Sequence, residues 1–348
     1  MICIITPILI ILILALVFWV TLLIAVSRFN PPEGILAENK NVPKIDPENT
    51  ISILSWNLGY AGLGEESNFL ADGGKSILPP SRQIVQKNIE NITKFLEQNN
   101  ADIYILQEVA KKSRLIFNLD LWEHIESVLT TKFKVHSPTV KIPWLPIIGR
   151  LETGNAILSN LPYQKVFRHN LPLEEKGFTG ILQQKYNFIL SRYKLENSEQ
   201  EFVLINLHLA AFDEGGIVRK KQLAKLKKVM RDEYKKGNFV VVGGDWNHRL
   251  VDTNFPYSAD DKFQFWIHDL PADFTPESWK WALDESVPTV RTLEKPYKPN
   301  DNYTCIIDGF LLSPNIKLES VKTFDLQFKY TDHHPQKIEI LLKGSNHE

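Results

Sequence analysis

The chain has 348 residues, 43% hydrophobic and 23% charged, a length that fits one large or two ordinary globular domains with a sizeable core. A formal net charge of -1 excludes polyanion binding by bulk charge, so any affinity for nucleic acid has to come from a local patch. The two cysteines, Cys3 and Cys305, exclude a disulfide framework and a cysteine-ligated zinc site, and neither is expected to have a disulfide partner.

From Ile2 to Val26 the chain carries no charge and is interrupted only by Thr6, Pro7 and Thr21. As a helix this segment extends about 37 Å, longer than a bilayer core of about 30 Å. It has no basic start, which argues for an uncleaved anchor over a secretory signal, although Ala25-Val26-Ser27 resembles a cleavage site. A single-pass transmembrane helix at residues 2–26 is therefore expected. Arg28, Lys40 and Lys44 favour a cytoplasmic domain by the positive-inside rule. A lone N-terminal span ahead of a folded domain instead exports that domain, and the extracytoplasmic side is favoured. Residues 27–49, rich in Pro, Asn and charge without an apolar period, read as a linker. Residues 50–348 show no boundary or repeat and read as one domain.

Within that domain, apolar runs predict strands at Ile51–Trp56, Ile103–Gln107, Ala156–Ser159, Phe188–Leu195, Phe202–His208, Phe239–Gly243, Ile306–Leu312 and Ile338–Leu342. After Pro79-Pro80, Ser81 caps a predicted helix with Ile84, Val85, Ile89, Ile92, Phe95 and Leu96 on one face. A second predicted helix runs from about Arg219 to Lys236, stops at Gly237, and buries Leu223, Leu226, Met230 and Tyr234. Strands and helices interleaved in this way argue for an α/β fold.

Polar motifs sit at the ends of the apolar runs: SWN (55–57), QE (107–108), NLHL (206–209), GDWN (244–247), IDG (307–309) and TDHHP (331–335). Singly, each has an ordinary alternative, such as a surface glutamate, a turn aspartate or a hydrogen-bonded core histidine. Together they supply a metal-assisted hydrolytic set. Glu108 emerges at a strand end, and Asp245 and Asn247 project together after paired glycines. Asp332 and His333 offer a ligand and a proton acceptor side by side, and Asp308 is placed to orient the imidazole. His208 lies inside an apolar run.

These six motifs, in this order from Ile51 to about Leu342, resemble the endonuclease/exonuclease/phosphatase superfamily, which includes deoxyribonuclease I, abasic-site endonucleases, neutral sphingomyelinases and inositol polyphosphate 5-phosphatases. The resemblance implies a four-layer α/β sandwich, two mixed β-sheets packed face to face and flanked by helices. It implies that Glu108 is the principal metal ligand, with Asn57 and Asp332 beside the metal. Asp245 and Asn247 would position the attacking water and the scissile phosphate. His333, paired with Asp308, would be general base or phosphate contact, and His208 a phosphate-binding or leaving-group histidine. Whether Asp245 or His333 takes the water's proton stays open, and His334 reads as a bystander. The oxygen-rich ligand set favours Mg²⁺ or Mn²⁺.

Three functions are weighed. The first is a membrane-tethered phosphodiesterase of nuclease type. The second is a sphingomyelinase-like or phosphoinositide-type lipid phosphoesterase, and the third a non-catalytic binding module on the same fold. The expected partners are a phosphoester substrate, nucleic acid or phospholipid, and a membrane through residues 2–26. Trp266, Trp279, Trp281 and Tyr297, between Phe255 and Asn302, are candidates for a substrate wall. Arg150, Glu152 and Asn155 are a second candidate rim. The basic helix 219–236 is either solvated or a surface for anionic lipid or another polyanion.

Overall fold

The computed structural model describes residues 2–27, 29–145, 149–174 and 184–342. Two sheets form the body. The six-stranded sheet has the order 316–323, 336–342, 51–57, 103–110, 149–159, 133–145; the seven-stranded sheet has the order 34–38, 165–170, 187–194, 201–208, 239–245, 308–312, 280–282. Both are mixed, and each has one parallel pair near its middle. Ile51–Asn57 lies parallel to Ile103–Ala110, and Glu201–His208 parallel to Phe239–Asp245. A parallel pair needs a crossover, and helices Arg82–Gln98 and Ile217–Lys235 supply the two.

Strand alternation sorts the side chains into layers. Ile53, Ile105, Leu204, Val241 and Phe310 meet in the apolar layer between the sheets. Their sequence neighbours point outward. Leu54, Trp56 and Leu106 pack on Val85, Ile89, Ile92 and Leu96 of the first helix, while Val203, Ile205, Val240 and Val242 pack on Leu223, Leu226 and Met230 of the second. This is the expected four-layer α/β sandwich of two mixed sheets flanked by helices. Gly243 sits where the sheets come closest, since a Cβ there would lie 2.4 Å from the Phe310 ring and 2.9 Å from Ile105 Cδ1.

The helix ends match the sequence signals. The Ser81 hydroxyl accepts the Ile84 N–H, and Gly237, at φ +84°, closes the second helix. Three longer strands were not anticipated, at Phe133–Leu145, Lys165–Asn170 and Ile316–Thr323. The first carries Pro138 and Pro143, which argue against a strand, but it is an edge strand whose register shifts at both prolines, where proline is tolerated. Ile316–Thr323 is also an edge strand, and a register shift between Leu318 and Ser320 breaks its alternation.

The expected linker 27–49 is more than a tether. Gly34–Glu38 adds an edge strand to the larger sheet, and Ile45 is buried and bridges to Leu195. Backbone pairing, which leaves no apolar period, brings this segment onto the body. Ahead of it, helix Ile2–Ser27 has 26 residues and no charged side chain. Among the described residues no helix is long and apolar enough to cross a membrane. The expectation of a spanning helix at 2–26 is met only to the extent of a long, uncharged helix whose Ile8, Leu12, Leu16 and Trp19 are exposed.

Candidate active site

The layer between the sheets is apolar along most of its length and turns polar at one end. Two residues beyond Ile105 stands Gln107, and beyond Leu204 stand Asn206 and His208 on the same face. Gln107 Nε2 donates to Asn206 Oδ1 at 2.7 Å, and Asn206 Nδ2 donates to the Leu106 and Ala156 carbonyls at 3.1 and 2.8 Å. These two amides tie sheet to sheet beneath the site. The parallel pairs place Asn57 level with Gln107 and His208 level with Asp245. The antiparallel strands arrive at the same end, with Asp308 level with Asp245 and Gln336, just after Thr331–Pro335, level with Ser55.

Glu108 reaches the site by a different device. Alternation alone turns it away from Gln107's face. The ladder slips between Leu106 and Val109, however, and Glu108 takes a left-handed φ of +52°, so a β-bulge re-aims its carboxylate. Its Oε1 lies 3.4 Å from Asn57 Nδ2 and 3.8 Å from His208 Nε2. Asn57 Nδ2 also donates to Asp245 Oδ2 at 2.9 Å, while its Oδ1 accepts the Gly59 N–H at 3.0 Å. Gly59, at φ +45°, leaves room for the next carboxylate, because a Cβ there would lie 2.6 Å from Asp332 Oδ1.

His333 Nδ1 lies 2.9 Å from Asp308 Oδ2, and its Nε2 is 3.9 Å from both Asp245 Oδ2 and Asp332 Oδ2. The Trp56 indole N–H donates to the His333 carbonyl at 2.9 Å. Thr289 Oγ1 accepts the N–H groups of Ile307 and Asp308, which fixes the other half of the dyad. Asp245 Oδ1 accepts the Asn247 N–H, and Asn247 Nδ2 donates to the Leu209 carbonyl at 2.8 Å. Of the eight residues singled out in the sequence, Glu108, His208, Asp245, Asn247, Asp332 and His333 line one cleft of about 330 Å³, and Asn57 and Asp308 stand behind it, bonded to Asp245 and His333. His334 is outside it, stacked on Phe328 at 3.8 Å between centroids and bonded to the Pro288 carbonyl.

Burial and then Asp332 push Glu108 up to about 8. Burial likewise pushes Asp245 up to about 7, helped by Asp308 and opposed by His333, and raises Asp332. Burial opposes charge on His333 as well, yet Asp308 and Asp332 outweigh it and hold that imidazole well above its ordinary value. His208 goes the other way, pushed down to about 3 by burial and by His333, and its Nδ1 has no hydrogen-bond partner among the described residues. Crowded, partly neutralised carboxylates with spare oxygen donors suit a hard divalent cation. Asp245, Asp308 and His333 bring ligand atoms within 4.8 Å of one another. Asp308 Oδ2 faces His333 Nδ1, while Asp308 Oδ1 is buried without a hydrogen-bond partner among the described residues, and Glu108 and Asp332 add two further carboxylates around the same space. Asn57 presents its amide nitrogen there, so it offers a cation an oxygen only if the amide turns.

Other cleft residues lacked a sequence signal. Asp72, in an aperiodic loop, is pushed up to about 7 by burial and by Asp332. Arg291 is buried and donates to the Leu63 and Gly64 carbonyls at 3.3 and 2.7 Å. The walls are apolar and aromatic, including Tyr60, Leu63, Phe69, Tyr186 and Phe212. Of the aromatic candidates only Trp266 lines the cleft. Trp279 and Trp281 pack into the outer core, and Tyr297 packs on Phe328. Arg150 and Glu152 pair with each other at 2.6 Å, Asn155 bonds to the Asn187 carbonyl, and none of the three lines the cleft.

The sequence pattern of the endonuclease/exonuclease/phosphatase family matches residues 54–333. The chain belongs to this family. Solved structures agree in fold. An endonuclease/exonuclease/phosphatase from Beutenbergia cavernae is 17% identical with a TM-score of 0.54, over 85% of this chain and 72% of that one. One from Bacteroides vulgatus is 14% identical with a TM-score of 0.54, over 84% and 99%. TDP2 of D. rerio, complexed with a single-strand DNA product, is 12% identical with a TM-score of 0.51, over 84% and 98%. No curated protein matches the chain in sequence.

Proposed function

We propose that this protein is a divalent-metal-dependent phosphodiesterase. The observation that carries this reading is the convergence of the His333–Asp308 pair, Asp245 and Glu108 at the base of one cleft. Glu108 and Asp332, with the Asn57 amide, would hold Mg²⁺ or Mn²⁺, and the bound ion would draw charge from the phosphoryl oxygens and the departing alkoxide. His333, kept cationic by its acid neighbours, binds a phosphoryl oxygen. Asp245, pushed up to about 7, takes the proton of the attacking water, for which a value near the working pH is suited. Asn247 has its amide nitrogen tied to the Leu209 carbonyl, so its part is to hold the turn that aims Asp245. Neutral His208 faces the leaving group.

Nucleic acid and phospholipid both present such a diester. Apart from histidine, the only cationic side chain lining the cleft among the described residues is Arg291, whose two terminal nitrogens donate to backbone carbonyls. A polyanion gains little there, which supports the lipid reading over the nuclease reading. Attachment to a membrane through helix Ile2–Ser27 belongs to the same proposal, supported by its uncharged 26 residues and outward apolar side chains, with the domain on the extracytoplasmic side. A reporter fused after Glu348 tests that side, and activity of a cytosol-only reporter would overturn it. The chemistry is tested with bis(p-nitrophenyl) phosphate and Mg²⁺ or Mn²⁺. Turnover by the full chain that His333→Ala abolishes is expected, and equal turnover by both proteins removes the assignment.

A further inference from the structure

The mouth of the cleft carries an apolar band that hydrolysis itself does not require. One lip is the loop from Phe69 to Pro79, where Leu70, Ile77 and Leu78 are exposed while Phe69 and Asp72 turn into the cleft. Across from it Phe212, Ile217 and Phe265 are exposed, with the Phe212 and Phe265 rings 6.2 Å apart between centroids. The two lips meet at Gly73, where a Cβ would lie 2.8 Å from the Phe263 ring. Lys75, Lys220 and Lys221 stand exposed beside them. Large apolar side chains grouped around one opening differ from the scattered singles of an ordinary surface.

The chain also enters the domain at this end. Asn170 pairs with Asn187, and Ile189 with Asn206, so the ladder brings Asn170 to the edge occupied by His208 and Asp245. Asn170 Nδ2 donates to the Pro31 carbonyl at 2.9 Å, and its N–H to Glu33 Oε2 at 3.2 Å. Lys225 Nζ fixes the same carboxylate at 2.6 Å. Between the end of the N-terminal helix at Ser27 and strand Gly34–Glu38 lie only residues 28–33, a reach of about 25 Å at most. The apolar helix is thereby held close to the catalytic edge. Strands Phe133–Leu145 and Gly149–Ser159 run on past Ala110, the last paired residue of their neighbour, with Ile142 opposite Leu151, so this hairpin overhangs the same edge.

We propose that the catalytic edge docks on a phospholipid bilayer with the cleft facing the lipid, so that the diester hydrolysed is one the membrane presents. This rests on the phosphodiesterase reading. Exposed apolar side chains beside lysines suit the boundary between acyl chains and anionic headgroups, and the short tether leaves the domain little freedom to turn its cleft away. An unpaired base stacks on an aromatic ring, but the aliphatic Leu70, Ile77, Leu78 and Ile217 offer no such face and suit acyl chains better.

The test uses the full chain in nanodiscs of phosphatidylcholine and phosphatidylserine. With Cys3→Ser and Cys305 buried, an environment-sensitive fluorophore is attached at Ile77→Cys or Ile217→Cys. Glu199→Cys, between strands Asn187–Lys194 and Glu201–His208 at the opposite end of the sheet, is the control. Blue-shifted emission quenched by brominated lipid at 77 and 217, with 199 in water, is expected. Labels at 77 and 217 as wet as 199, or shielded by added plasmid DNA and not by lipid, overturn the proposal. In a second arm, Ile77→Asp with Ile217→Asp lowers phospholipid hydrolysis about tenfold or more and leaves bis(p-nitrophenyl) phosphate turnover within about twofold, since two apolar side chains lose their lipid contact and neither lines the cleft. Equal losses on both substrates also overturn it. If the unmutated protein fails on the soluble diester, the phosphodiesterase reading fails, and the fluorophores still decide the docking.

Discussion

The two strand–helix–strand units at the centre of the molecule are built alike and deliver their acids differently. In the larger sheet, Asp245 keeps an unbroken register, two residues beyond Gly243 and four beyond Val241, on the face that carries the interior core, with Gly244 at φ +131° just before it. In the smaller sheet, Glu108 is off that face by alternation and is returned to it by a bulge and a left-handed backbone. Asp245 is fully enclosed, whereas the Glu108 side chain keeps 24% of its surface open. The regular device gives a rigid, dry carboxylate suited to proton transfer. The irregular one gives a carboxylate at the cleft floor that an ion can reach.

The largest test of that contrast is kinetic. Asp245→Asn should cost about 10³-fold in kcat/KM at every cation concentration, as expected for loss of a general base. Glu108→Gln should lose activity mainly at limiting Mg²⁺ and regain part of it as the cation is raised. Equal, unrescued losses in a Mg²⁺ titration would erase the distinction.

Packing comes next. Leu226→Ala, under the larger sheet, should destabilise by roughly 2–5 kcal/mol, and Gly243→Ala by roughly 1–3 kcal/mol, because its new methyl meets Phe310 and Ile105 between the sheets. Denaturant midpoints measure both. A neutral Gly243→Ala would mean that the sheets spread apart at the polar end.

A smaller effect is set by pH. Without a cation, Glu108 is pushed up to about 8 from 4.5 and Asp245 to about 7 from 3.8, so from pH 6.5 to about 8 the folded state binds more protons than the unfolded one, and stability falls as pH rises. His333, held above its ordinary 6.5, contributes with the same sign. His208, pushed down to about 3 from 6.5, has the opposite sign, acts mostly below pH 6.5 and fades within about a unit above it. The cation-free Tm should therefore drop across this window, and Mn²⁺ or Mg²⁺ should flatten the drop. A Tm that rises with pH would contradict the crowding of acids. The smallest effect is local: Ser81→Ala, which removes the cap of the first helix, should cost about 1 kcal/mol.

The eight residues that converge at the cleft were legible because each flanks a strong apolar run, so a short polar motif at a strand end carries both its position and its chemistry. The cleft walls were not. Tyr60, Asp72, Tyr186 and Arg291 come from loops and strand ends without such a pattern, and Trp279 and Trp281 look the same in sequence as Trp266 although only Trp266 reaches the cleft. Aromatic content cannot tell a substrate wall from a core, because both bury apolar area.

By itself the sequence determined the strand and helix alternation, the family motifs and their order, since local propensity and period-2 or period-3.6 patterning are written in neighbouring residues. It also determined the chemistry available at each strand end. Only the tertiary structure decided that both parallel pairs end at one edge, that a bulge turns Glu108 inward, and that the stretch from Pro31 to Glu38 binds the domain beside the cleft. Those outcomes depend on register and sheet order, which are set by contacts between residues far apart in the chain.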